Sequence, residues 1–191
     1  MMKLIQPAMK KITVALLLLY VAGCNDPASV VNEETKQVIA VSAEEAVASD
    51  TINKPELVVP EVDGALSLTA QNGAASGPDI KYMPEWRAFG WFTAADRVDW
   101  EAAVQKAGEY AVQIEWSVSD EEAGKEFLLE TNDQKLTGIV SSSGSWETYK
   151  TEVAGTIKLD AGRQKITFRS NKPFDKGAIL DLRAIKLMPL K

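Results

Sequence analysis

The sequence contains no histidine and a single cysteine, Cys24, among 191 residues. Without histidine there is no imidazole to serve as general base in a Ser-His-Asp or Cys-His site, and the commonest transition-metal ligand is missing. A lone cysteine closes no internal disulfide, and with no histidine beside it a structural zinc site is excluded. Aromatic residues are absent from Val21 to Lys81, whereas all five tryptophans fall between Tyr82 and Trp146. A segment without rings has little to bury, so the core must come from the residues C-terminal to it. Cations are outnumbered, 21 against 27 acids, and form no basic stripe, so nucleic acid is not an expected partner. Chemistry would have to rest on carboxylates, lysines and hydroxyls. Glycoside hydrolysis needs two carboxyls about 5 to 9.5 Å apart across a groove. Nothing in the sequence marks such a groove, and the chain reads as a non-enzyme needing no cofactor and no metal.

What is present begins with Lys3, Lys10 and Lys11 ahead of the apolar run "ITVALLLLYVAG". The run is too short to span a bilayer comfortably, and residues 1–23 read as a cleaved export signal. It ends in "VAGC", which resembles the bacterial lipoprotein box. That resemblance implies diacylglycerol on the Cys24 sulfur, cleavage just before it, and an extracytoplasmic protein anchored to a membrane of the cell envelope. Loss of the signal removes three lysines and no acid, leaving 18 basic and 27 acidic residues, a net of −9. Nine of those acids against two lysines lie in residues 25–63, punctuated by Pro55 and Pro60. Residues 24–63 therefore read as an acidic flexible linker with a reach of roughly 30 to 40 Å.

From residue 64 to 191 the pattern is β. "RVDWEAAV" and "EYAVQIEWSV" alternate over their whole lengths, turning Val98, Trp100, Tyr110, Val112, Ile114 and Trp116 inward and leaving Asp99 and Glu101 on a solvated face. "KAG" and "DAGR" read as turns. In "AILDLRAIKLM" Leu180 and Leu182 have one parity and Ile185 and Leu187 the other, which a bulge near Arg183 would reconcile. Asp181 and Arg183 then share a parity and are candidates for a pair. Many short strands with Gly and Asp turns point to an all-β, antiparallel jelly-roll sandwich. In "SGSWETYKTEV", read as a strand, Tyr149 and Val153 look inward and Trp146 outward. An outward tryptophan beside Gly144 is either a rim plug or a ligand contact. In "EWRAFGWF" the four rings are too close together to share one strand face; some close the sandwich end, and Trp91 is the candidate to line a rim site.

"DRVDWEAAVQKAGEYAVQIEWSV", "SGSWETYKTEVAGTIKLDAGRQKITFRS" and "AILDLRAIKLMPL" resemble carbohydrate-binding modules of families 6 and 35 over residues 64–189. The resemblance implies a jelly-roll module that binds polysaccharide or glycoconjugate at a rim of loops. It puts a stacking aromatic at Trp146 and a hydroxyl-binding polar residue at Asp181. Arg97 stands where many members carry a further aromatic and is the fourth ligand-binding candidate, and Gln71 stands where a glutamate helps hold structural calcium. The alternative is a module that has lost sugar binding and docks an envelope protein.

Overall fold

A computed structural model describes residues 53–191. The export signal, Cys24 and most of the expected linker lie outside the described residues. All regular elements described are strands: β1 (Leu66–Thr69), β2 (Ala74–Ser76), β3 (Lys81–Met83), β4 (Ala88–Gly90), β5 (Arg97–Val104), β6 (Gly108–Ser117), β7 (Glu126–Glu130), β8 (Lys135–Ile139), β9 (Lys150–Leu159), β10 (Gly162–Ser170) and β11 (Asp181–Pro189). One sheet runs β3-β4-β11-β6-β9, with β1 also on β11, and the other runs β2-β5-β10-β7-β8. Every pairing between these strands is antiparallel. The expected β-sandwich is the fold.

The alternating residues of β5 and β6 build the core. Val98, Trp100, Ala102, Tyr110, Val112, Ile114 and Trp116 are buried between the sheets. Phe168 of β10 stacks on Phe127 at 5.5 Å and meets Phe92 edge-on at 5.8 Å, both favourable ring geometries. The two buried indoles find carbonyl acceptors, Trp100 at Thr69 (2.9 Å) and Trp116 at Ser141 (3.0 Å). In β11 the register against β6 shifts between Leu182 and Ala184. This is the bulge expected near Arg183, and it keeps Leu180, Leu182, Ile185 and Leu187 all in the core.

Two expectations need correcting. The ordered module starts before residue 64. Val58 is buried, donates its N–H to the Glu101 carbonyl and accepts from Ala103 N, both at 2.8 Å, so it extends the five-stranded sheet along β5 beyond β2. Glu61 accepts from Ser67 Oγ (2.6 Å) and Lys186 Nζ (2.9 Å). Its apolar residue Val58 and these polar contacts hold this strap down, although its composition is that of a linker. The turns expected at "KAG" and "DAGR" each carry the chain from one sheet to the other, since β5 and β10 lie in one and β6 and β9 in the other. Second, the strand around Trp146 begins only at Lys150. Val153 is 64% exposed at an edge, and a shift in the β6–β9 register between Val112 and Gln113 breaks the assumed alternation.

Candidate functional site

The strands β2, β4, β6, β8 and β10 all point toward the same end of the sandwich, and the five connections that leave them meet there. Between them lies a cavity of about 570 Å³ lined by Asp79, Lys81, Met83, Trp91, Thr93, Glu122, Trp146, Gly177, Ala178 and Asp181. Three of the four ligand candidates from the sequence, Trp91, Trp146 and Asp181, face this one space.

Trp146 sits in a turn, and the reason is the serine-rich run before it. Ser143 Oγ accepts from Val118 N (2.8 Å), and Gly144, at φ 95°, bridges to Ser119. Ser142 Oγ accepts from Gly144 N (2.9 Å), and Ser145 Oγ from Glu147 N (3.2 Å). Hydroxyls that bond nearby backbone offer the chain an alternative to a ladder. The run is therefore a looped platform, fastened to β6 where Ser117 Oγ donates to the Trp146 carbonyl at 2.7 Å. Trp146 is half-buried, one side against the core and the other toward the cavity. It combines the plug and the rim position that sequence parity had set against each other.

Trp91 is 65% exposed and has a backbone φ of 58°. A bulky side chain in the left-handed region is a steric outlier. The Lys81 ammonium lies 6.0 Å from the centre of its ring. Phe89 and Phe92, its neighbours in sequence, are fully buried, so one short segment anchors in the core and presents a ring to the cavity.

Asp181 opens β11, and Gly90 on the neighbouring strand makes room for it: a Cβ there would stand 2.9 Å from Asp181 Oδ1. Burial is the main cause that pushes the Asp181 carboxyl up to about 7, and the nearby negative charge of Glu147 adds to it. No described residue donates a hydrogen bond to it. The expected partner, Arg183, is turned across the bulge to Glu115 (2.7 Å) and lies over the Tyr149 ring at 3.5 Å. Tyr149 is not a core residue. It stacks on Trp86 at 6.2 Å outside the core cluster, with its hydroxyl buried and no hydrogen bond of ordinary geometry. Ser117 nonetheless lies close enough to ease its ionisation, while burial, the larger effect, raises the phenol.

Arg97 is not brought to the cavity. It starts β5 in the five-stranded sheet, exposed, with Nε 3.2 Å from Asp99. Asp99 also accepts from Thr167 (2.6 Å) and pairs with Lys165 (3.1 Å), a ladder of interleaved charges on the sheet's outer face. At Gln71, the backbone carbonyl is taken up by Lys54 N (2.7 Å) and the Asn53 amide (3.1 Å). Among the described residues no group of three or more Cys, Asp or Glu side chains is arranged to hold a metal ion.

Sequence reasoning missed the opposite wall, Asp79, Lys81, Thr93 and Glu122, and the residue that organises it. Asp96 is 1% exposed. Its Oδ2 accepts from Thr93 N and Thr93 Oγ1, both at 2.7 Å, and its Oδ1 from Asp79 N at 3.3 Å. Gly77, at φ 146°, packs so closely that a Cβ would fall 1.9 Å from Asp96 Oδ1. A threonine three residues before an aspartate, in "TAAD", was the available signal for this tied loop.

No family model and no curated protein sequence matches the chain. Among solved structures, the chain is similar to a family 35 carbohydrate-binding module from Clostridium thermocellum, with TM-score 0.53, 14% identity, and coverage of 64% of this chain and 97% of that one. It is similar to a carbohydrate-binding module from Cellvibrio mixtus lichenase 5A in complex with cellotriose, with TM-score 0.53, 16% identity, and coverage of 65% and 97%. An exo-β-1,3-galactanase from Phanerochaete chrysosporium matches with TM-score 0.53 and 21% identity over 66% of this chain, which spans only 30% of the galactanase. The fold is that of carbohydrate-binding modules of families 6 and 35.

Proposed function

We propose that this protein is a non-catalytic module, lipid-anchored outside the cytoplasm, that binds carbohydrate or glycoconjugate in the rim cavity. The observation that carries the reading is the convergence on one space of two tryptophans and a carboxyl group to which no described residue donates a hydrogen bond. A pyranose offers an apolar face for a ring and hydroxyls for a carboxylate, so such a space suits it. Modules of this fold are described with a bound oligosaccharide, as in the cellotriose complex. Aromatic stacking contributes about 0.5 to 1.5 kcal/mol per ring beyond area burial. Two rings and a few hydrogen bonds then give affinities nearer the millimolar than the nanomolar range, and many anchored copies on one polysaccharide would gain avidity.

The test is a glycan array probed with the chain from residue 24 onward carrying Cys24→Ser. Binding to at least one oligosaccharide is expected. An array without binders, together with capture of an envelope protein, would favour the docking alternative. The anchor is tested separately in cells. Cys24→Ser in the full chain is expected to move the protein from the membrane to the soluble fraction, and retention in the membrane at the parent level would remove the lipoprotein part of the reading.

A further inference from the structure

Building on the carbohydrate reading, we propose that the rim cavity selects a sugar bearing a positive charge, a hexosamine with a free amino group, over neutral and uronic acid sugars. The charges that line the cavity are three carboxylates, Asp79, Glu122 and Asp181, against one ammonium, Lys81. Glu122 is already paired with Lys125. No described residue donates to the carboxylate of Asp79 or of Asp181, and Glu147 adds negative charge beside the latter. Lys81 is the cation positioned over the Trp91 ring.

The carboxylates alone would be an ordinary acidic surface. Here they stand in a cavity walled by two indoles, one of them held in a strained backbone conformation. That combination meets the two needs of an amino sugar. A pyranose stacks on an indole, and an ammonium brings three donors and a positive charge to carboxylates that lack both. The electron-rich ring faces add attraction for a cation. The high proton affinity of Asp181 has the same cause, a carboxylate without a counter-charge in a partly dry place. A charged donor makes a hydrogen bond roughly twice as strong as a neutral one, which corresponds to about tenfold in affinity. A uronate would bring a fourth carboxylate toward a single lysine and should be rejected.

The experiment measures affinities of the chain from residue 24 onward, with Cys24→Ser, for four short probes by titration calorimetry at moderate salt and pH 7.5, above the value of about 7 to which the Asp181 carboxyl is pushed, so that it is ionised when the probe arrives. The probes are a glucosamine trimer, its N-acetylated counterpart, cellotriose and a trigalacturonate. The expected result is about tenfold tighter binding of the glucosamine trimer than of the two neutral trimers, with no binding of the uronate. Asp181→Asn should reduce that preference to within about twofold, because the glucosamine trimer loses more affinity than the two neutral trimers. Trp91→Gly should abolish binding of the glucosamine trimer, which separates the cavity from loose attraction to the acidic chain. Equal affinity for charged and neutral trimers, preference for the uronate, or an unchanged preference in Asp181→Asn would overturn the charge selection and leave carbohydrate binding standing. A chain that binds none of the probes, and nothing on the array, would take the carbohydrate reading down with it.

Discussion

Trp91→Gly should abolish glycan binding and leave the melting temperature unchanged or slightly higher. The backbone at Trp91 has φ 58°, a conformation that costs a residue with a Cβ about 1 to 2 kcal/mol and costs glycine none. Against that gain stand the extra chain entropy that glycine loses on folding, about 0.4 to 1 kcal/mol, and a distant contact with Lys81 at 6.0 Å. The ring is 65% exposed, so little burial is lost. These terms nearly cancel, whereas binding loses a whole stacking face. Strain of this kind persists where something other than stability requires the residue. Thermal unfolding alongside titration with a glycan from the array checks both halves. A fall of more than a few degrees would mean that the ring closes the sandwich end and is not held there for a ligand. Trp146 cannot serve as the same probe, because its half-buried indole packs on the core and its removal would lower stability and binding together.

Asp96→Ala should lower stability by roughly 2 to 4 kcal/mol and remove binding as well. The substitution orphans Thr93 N, Thr93 Oγ1 and Asp79 N, and bonds to a charged acceptor contribute about 1.5 to 3 kcal/mol each before relaxation and water entry. For a domain of this size the change corresponds to a melting temperature lower by about 5 to 15 °C. Binding falls because Asp79 and Thr93 are cavity wall, and Trp91 leaves the core only two residues before Thr93. Asp96→Asn, which keeps one acceptor oxygen, should give an intermediate loss of stability. The measurement is chemical denaturation with binding assayed well below the midpoint, so that the variant is folded when tested. Full binding by folded Asp96→Ala would show that the loop keeps its shape without the carboxylate.

Legibility differed among the elements for physical reasons. β5, β6 and the two halves of β11 could be read because a strand buried on one face needs an apolar residue at every second position, and the parity break in β11 required a bulge. The short strands β2, β3 and β4 carry too few residues for any period to register. The run from Ser143 to Tyr149 was misread for another reason. Alternation assumes a ladder, but here serine hydroxyls satisfy the backbone in place of a neighbouring strand. In the same way Tyr149 was expected in the core and lies instead between Trp86 and Arg183.

Composition and period by themselves determined that residues 64–191 form an all-β sandwich, which residues of β5, β6 and β11 fill its core, and that imidazole chemistry and an internal disulfide are absent. Trp146 stood out by its outward parity and Trp91 by crowding among neighbouring rings, whereas the ligand role of Asp181 came from the resemblance to carbohydrate-binding modules. Only the tertiary structure decided that these three share a cavity, that Arg97 stands apart from it, and that Asp79, Lys81, Thr93 and Glu122 complete its wall. Those facts depend on which sheet each strand joins after a turn such as "KAG" or "DAGR". A glycine turn has much the same local chemistry whether it closes a hairpin or crosses between sheets. The choice is made by side chains far apart in the chain that bury one another, and burial between distant residues leaves no local mark.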